Sequence, residues 1–172
     1  LRFSLDYLGL DAAGPYFENT PPEVRLDPTD AVFVDAIHTD GSFDAFHLGF
    51  GMKKTVGNVD FFPNGGVKMP SCEKIYFRLE DLDRMIEDLD KISCNHQMSY
   101  KFFTKSILRP DGFIGYSASS YSAFEKGFVF PCTKVSCAFM GYKADEYVFG
   151  HDQDSTDNQM FFLNTGDPSN YL

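Results

Sequence analysis

Two residues far apart in the chain, Asp11 and His96, are the first candidates for chemistry. Asp11 ends the stretch "SLDYLGLD", which predicts a strand, and His96 lies two residues after Cys94 at the start of an aromatic-rich helical stretch. His96 has three competing interpretations: a metal ligand, a packed core histidine, or a general base. An acid after a strand and a later histidine at a helix start follow the chain order of the last two members of a Ser–Asp–His triad. Taken alone, this order is a weak indication, because almost any domain contains an Asp and a later His.

The other histidines lack such a context, and each is predicted to be structural: His38, His47 and His151. The stretch "HDQDSTD", residues 151–157, resembles the start of an EF-hand loop. The sixth loop position is Asp157 instead of Gly, and the twelfth is Leu163 instead of Glu. We therefore interpret this stretch as a solvated acidic loop.

Four cysteines, Cys72, Cys94, Cys132 and Cys137, allow three pairings. The short loop "CTKVSC" suits a local bridge between Cys132 and Cys137, which leaves Cys72 with Cys94. Zinc is disfavoured because no CxxC or HxxxH spacing occurs. Two disulfides would place the protein in an oxidising compartment, and we expect it to be secreted.

Composition excludes two classes of partner. The chain has 172 residues, 43% of them hydrophobic, and a net charge of −10 from 15 basic and 25 acidic side chains. A chain this acidic repels phosphate backbones, so nucleic acid is not expected as a partner. No apolar run approaches the ~20 residues that cross a bilayer, so the protein is not expected to be transmembrane.

The apolar pattern predicts several strands and a helix. "AVFVDAIHT" (31–39) predicts a buried strand of a parallel sheet, and "VDFFPNGG" (59–66) a short strand followed by a tight turn. A helix is expected from His96 to about Leu108. Late strands are expected in "EYVFG" and "QMFFLNTG", whereas "PDGFIGY" and the region of Cys132 and Cys137 are expected to be irregular.

A second, amphipathic helix is predicted between Cys72 and Cys94. Its apolar positions repeat at helical spacing: Leu79, Leu82, Ile86 and Leu89. Two interpretations stay open, a helix packed permanently on the domain and a mobile cover. Periodicity alone does not separate them.

Longer motifs carry a resemblance to a known family. The stretches "GLDAAGPYFENTPPEVRLDPTDAVFVDAIHTD", "LGFGM", "VDFFPNGGVKMPSC", "CNHQMSYKFFTKSIL", "PDGFIGY" and "FFLNTGD" occur in order from about Leu8 to Asp167. They closely resemble the animal pancreatic lipase family. The resemblance implies an α/β-hydrolase fold, a mostly parallel sheet with flanking helices. Residues 1–172 would form the C-terminal part of its catalytic domain, and residues 72–94, here called the lid segment, would form its disulfide-closed lid.

The resemblance also implies site residues. The triad acid of the family corresponds to Asp11 of "GLDAAGP", and the triad histidine to His96 of "CNH". His96 would take the proton of the serine and return it to the leaving alcohol, while Asp11 would orient the ring. The loop "PPEVRLDPTD" matches the calcium-binding loop of the family. The implied ligands of a structural calcium ion are the backbone carbonyls of Pro22 and Arg25 and the side chains of Asp27 and Asp30. Without the resemblance, "DPTD" is an ordinary Asx turn.

The main departure from the family is the absence of a nucleophile. No GxSxG motif occurs, and the nearest string, "GYSAS" at Gly115, lies after the histidine and ends in Ser119. We therefore expect the serine upstream of this chain and expect the chain alone to be inactive. Ala12 also replaces the family proline after the triad acid, and Ala118 and Val129 replace a second local disulfide.

The sequence thus predicts a secreted lipase that hydrolyses acylglycerol esters at a lipid–water interface. One rival is a catalytically dead lipase-like protein that binds or stores lipid. Another keeps the chemistry on a different lipid, as a phospholipase A1 or galactolipase. The sequence leaves a colipase-type partner undecided.

Overall fold

The structure is a computed structural model that describes residues 6–41, 43–44, 47–73, 89–150 and 159–166. Two sequence predictions lie outside these residues: the amphipathic helix of the lid segment, apart from its last residues, and the acidic loop with His151. Of His47, only the backbone is described.

Within the described residues, eight strands form two sheets. The strands are β1 (Asp6–Leu10), β2 (Phe33–Ile37), β3 (Phe43–Asp44), β4 (His47–Leu48), β5 (Val59–Pro63), β6 (Ile114–Ser117), β7 (Cys137–Phe139) and β8 (Gln159–Leu163). The main sheet has the order β1-β2-β5-β8-β6-β7, and β3 pairs with β4 in a separate antiparallel hairpin. Neighbours from β1 through β8 are parallel, whereas β6 runs antiparallel to both β8 and β7.

The central strands are mostly apolar because both faces of the sheet are covered. Every residue of β2 and β5 is buried, as expected for parallel strands between two layers. Phe61 and Phe161 face one core, while Phe62 and Phe162, one residue further along each strand, face the other. The predicted α/β fold and its parallel strands are confirmed.

Three α-helices complete the described part: α1 (Leu89–Ile92), α2 (Cys94–Leu108) and α3 (Tyr121–Glu125). Helix α2 buries Met98, Ser99, Phe102 and Ser106, three or four residues apart, so one stripe of the helix faces the sheet. Met98 and Phe102 share a core with Phe61 and Phe161. The predicted helix over this stretch is confirmed, and the packing holds its N-terminus over the sheet.

Two sequence predictions about elements are wrong. The stretch "EYVFG" belongs to a 3-10 helix, Ala144–Gly150, and not to a strand. Its Tyr147 ring packs edge-on against Phe161 of the sheet. Strands β6 and β7 occupy regions expected to be irregular. They are short and lie at one end of the sheet, where pairing with β8 and with each other defines them.

Disulfides join Cys72 to Cys94 and Cys132 to Cys137. The first closes the lid segment at the start of α2, and the second closes the turn before β7. In the described part of the chain, no helix combines the length and the apolar character needed to cross a bilayer.

Candidate active site

Asp11 and His96 meet across 85 positions of sequence. Asp11 directly follows β1 at the carboxyl end of the parallel strands, and His96 lies in the first turn of α2. The Nδ1 atom of His96 lies 2.7 Å from Oδ2 of Asp11. Sheet and helix packing therefore bring together the two residues that the sequence proposes for a triad.

The chain around Asp11 is shaped to hold its carboxylate. Asp11 has a left-handed backbone, with φ of 54°, which few residues other than glycine adopt. Its Oδ1 accepts hydrogen bonds from the backbone N–H of Thr39 (2.7 Å) and Asp40 (2.9 Å). The side chain is only 1% exposed. Since both donors are backbone groups just beyond β2, the acid is fixed by the fold and not by flexible side chains.

Gly51 has no side chain, and the Asp11 carboxylate occupies the space that a side chain would fill. A Cβ atom built at Gly51 would overlap the carboxylate of Asp11. The same segment is bonded to the turn after Asp11, because Met52 N–H donates to the Ala12 carbonyl at 2.8 Å. A glycine is required here by the close approach of backbone and carboxylate.

The contact with Asp11 fixes the tautomer of His96. A carboxylate only accepts, so Nδ1 carries the hydrogen, and Nε2 of the neutral ring is left as the basic atom. The side chain is 41% exposed, so reactants can reach it. The hydrogen bond to Asp11 and the charges of Asp11 and Asp40 raise the pKa of His96 against the opposing effect of partial burial.

A second carboxylate, Asp40, lies beside this pair and was not singled out from the sequence. Its Oδ2 accepts the N–H of Phe50 at 3.1 Å, and the side chain of Asn95, next to His96, also bonds to it. Burial raises the pKa of Asp40 to about 6, and the charge of Asp11 adds to the rise. Its place three residues after β2, the strand that neighbours β1, is the signal that could have found it.

The remaining predicted residues lie apart from this pair. His38 is fully buried, as its structural interpretation requires. The string "GYSAS" begins within β6, where Ser117 pairs with Phe161, and is not a strand-to-helix elbow. Asn95 Oδ1 accepts the N–H of Met69 at 2.9 Å, so the chain on either side of the lid segment is bonded next to His96.

The predicted calcium loop has a donor set that fits the ion in chemistry. Asp27 and Asp30 belong to one turn, because Asp30 Oδ2 accepts the N–H of Asp27 at 3.0 Å. Asp27 is 7% exposed, and hydrogen bonds from the Thr29 hydroxyl and N–H lower its pKa. These bonds use Oδ1 and leave Oδ2 for a ligand. Pro22 and Arg25 flank the turn, and the Pro22 carbonyl accepts the N–H of Arg25 at 3.2 Å. Carboxylate and carbonyl oxygens are the ligands that calcium prefers.

Comparison with known proteins agrees with the fold. The family model described as Lipase matches residues 7–171. The chain is 53% identical over 165 residues to the pancreatic triacylglycerol lipase of Mus musculus and 50% identical to that of Homo sapiens. It is 48% identical to pancreatic lipase-related protein 2 of Homo sapiens.

These alignments cover unequal shares of the proteins compared. Each includes 95% of this chain but only 34 to 35% of the relative. The chain therefore spans about a third of the length of these curated relatives.

Proposed function

This chain belongs to the lipase family, and from this premise we propose that it is the C-terminal part of the catalytic domain of a carboxylic ester hydrolase. In this proposal the chain supplies the acid and the base of a Ser–Asp–His triad, and the rest of the protein supplies the serine. The observation that carries the proposal is the 2.7 Å contact between His96 Nδ1 and the buried carboxylate of Asp11.

Each of the two residues has one role. Nε2 of His96 removes the hydroxyl proton of the serine while the serine oxygen attacks the ester carbonyl carbon. The same nitrogen then gives that proton to the leaving alcohol, and the reverse sequence with water releases the fatty acid. Asp11 keeps Nδ1 protonated and stabilises the imidazolium that forms in each step, without itself taking the proton.

We propose acylglycerols at a lipid–water interface as the substrate. Several relatives that align with 95% of this chain are named pancreatic triacylglycerol lipases. In this proposal the lid segment covers the site in water and turns its apolar face to lipid when it opens. The two disulfides support secretion, since such bonds persist in oxidising compartments.

Calcium, in this proposal, is a structural ion. The carbonyls of Pro22 and Arg25 and the carboxylates of Asp27 and Asp30 would hold it. When bound, the ion supplies positive charge that stabilises the acidic turn between Asp11 and β2. It lies outside the proton transfers, which need only the triad.

The test labels the full-length protein with a fluorophosphonate, which reacts with activated serines, and maps the label by peptide mass spectrometry. We expect one labelled serine outside this chain, and we expect His96→Ala to abolish the labelling. Ser106→Ala, which alters a buried serine of α2 away from the pair, is the matched control and should label normally. An unlabelled but folded wild-type protein would instead favour the lipid-binding or storage protein.

The head group preference is tested separately. Hydrolysis of emulsified triacylglycerol, phospholipid and galactolipid should be compared on the same protein, with the fastest turnover expected for triacylglycerol. Faster turnover of phospholipid or galactolipid would retain the triad and replace the proposed substrate.

A further inference from the structure

A second histidine–aspartate pair lies buried close to the first. Nε2 of His38 lies 2.7 Å from Oδ1 of Asp60, and both residues are completely buried. The His38 ring is stacked on Phe62, with ring centroids 4.4 Å apart. The proposed reaction makes no use of this pair, so it needs another explanation.

The partners of the pair indicate that it is charged. Nδ1 of His38 lies 2.9 Å from the Met52 carbonyl, which only accepts, so Nδ1 must donate. The Asp60 carboxylate accepts the N–H groups of Val56 and Gly57 at 2.9 and 3.1 Å, as an anion does. Burial lowers the pKa of His38, but the bond and the charge of Asp60 raise the pKa overall. Nδ1 therefore donates to the Met52 carbonyl, and the contact of Nε2 with Asp60 favours the protonated ring.

This ion pair bonds to both backbone segments that enclose the Asp11 carboxylate. His38 immediately precedes Thr39 and Asp40, whose N–H groups hold Oδ1 of Asp11. Through Met52, His38 also holds the segment that begins at Gly51, the residue packed against the carboxylate. An apolar pair of equal volume would fill the same space at no greater cost in stability, but it could not hold the Met52 carbonyl.

We propose that the His38–Asp60 pair positions the acid of the site, by fixing the two backbone segments that set the place of the Asp11 carboxylate relative to His96. Neither residue is bonded to His96 in the structure, so the pair acts through Asp11. This inference rests on the proposed function for its kinetic consequence only. Its geometric consequence, a correctly placed Asp11, is measurable whether or not the protein hydrolyses esters.

The experiment uses the full-length protein with His38→Gln and Asp60→Asn. Each substitution keeps a hydrogen-bonding side chain of similar size and removes one charge. The readouts are the low-field proton resonance of His96 Nδ1–H, the pKa of His96 by NMR titration, and kcat and KM on a dissolved ester. Asp11→Asn is the positive control, and Ser106→Ala, which removes a buried hydrogen bond of α2, is the control for general destabilisation.

If the pair positions Asp11, both variants lose or shift the low-field resonance and lower the pKa of His96, as Asp11→Asn does. We expect kcat to fall on the order of 10²-fold with little change in KM, because the misplaced group acts in the transition state. A folded variant with an unchanged resonance and pKa would overturn the proposal, as would failure of both variants to fold, since the pair would then be purely structural. If the wild type is inactive but its resonance responds as expected, the proposed function fails and the positioning role stands.

Discussion

The pKa of His96 decides the pH range in which it can act as a base. Its hydrogen bond to Asp11 raises the pKa above the ordinary value of 6.5, so the ring keeps its proton to a higher pH. Only the neutral ring accepts a proton from serine. We therefore expect kcat/KM of the full-length protein to rise with pH through a midpoint above 6.5. A midpoint at or below that value would contradict the pairing.

Asp40 should shift this midpoint through its charge. The groups that face it are Asp11, His96, the Asn95 amide and the N–H of Phe50. Asp40→Asn retains an oxygen for the Phe50 bond and removes the negative charge, so the acidic limb of the kcat/KM profile should move to lower pH. Because the pKa of Asp40 is raised to about 6, wild type and variant should converge below that pH. An unchanged limb would show that Asp40 has no electrostatic effect on His96.

Gly51→Ala tests how closely the backbone encloses the acid. The added methyl group would overlap the Asp11 carboxylate, so either the acid or the segment must move. We expect a loss of about 1–3 kcal/mol of stability from overpacking, and a fall in kcat on the order of 10²-fold. Ala at Gly127, where a Cβ meets nothing within 4 Å, provides a control for glycine replacement at a site remote from the acid. Equal effects of both variants on kcat would contradict the close fit.

At this scale the sequence predicts the two residues that meet in the candidate site and misses the groups that support them. Asp11 and His96 are proposed from the motifs "GLDAAGP" and "CNH". Asp40 and Gly51 acquire their roles only when the chain after β2 returns to the end of β1, as in the bond from Gly51 N–H to the Asp40 carbonyl. Such a return depends on tertiary packing, which local patterns do not encode.

At the scale of elements, the strands that are buried on both faces could be predicted from the sequence, whereas the partly exposed strands could not. Strands β2 and β5 are buried throughout, and their sequences are apolar except for one aspartate in each. Strands β6 and β7 are partly exposed and have four and three residues, and their identity comes from antiparallel pairing. The 3-10 helix Ala144–Gly150 contains strand-forming residues, but its Tyr147 ring packs against Phe161 of the sheet and the segment does not join the sheet as a strand. In each case the place of the segment in the fold, and not the strand propensity of its residues, determines the structure that it forms.

The loop between β1 and β2 should respond to calcium. If Asp27 and Asp30 hold the ion, adding Ca²⁺ should raise the melting temperature of the full-length protein. At a hundredfold excess of Ca²⁺ over Kd, the free energy of unfolding should increase by about 2.7 kcal/mol. Asp27→Asn should abolish most of that rise. Asp111→Asn, at an exposed acid paired with Lys143, should retain it. A rise that survives Asp27→Asn would place the ion elsewhere.

At the scale of the whole molecule, the site lies at a junction between the sheet and the lid segment. The Cys72–Cys94 disulfide ends two residues before His96, and Asn95 between them bonds both Met69 and Asp40. Both ends of the lid segment are therefore held beside His96. The chain spans about a third of the length of its relatives, and under the proposed function the serine is expected in the rest of the protein.

This anchoring predicts how the full-length protein responds to a lipid surface. With the lid segment closed by its disulfide, we expect ester hydrolysis to accelerate once the substrate exceeds its solubility and forms an interface, because the apolar helix face then has lipid to contact. Replacing Cys72 and Cys94 together by serine opens the disulfide that closes the lid segment, whose cysteines are 22 positions apart. On the chain-entropy model, the loss of this bridge lowers the stability of the protein by roughly 3 kcal/mol. The acceleration should be lost while dissolved ester is still hydrolysed. Serine substitution of Cys132 and Cys137, which also removes one disulfide, should preserve the acceleration. If both pairs of substitutions leave the dependence on substrate concentration unchanged, the lid segment does not gate the site, and its helix is permanently packed on the domain.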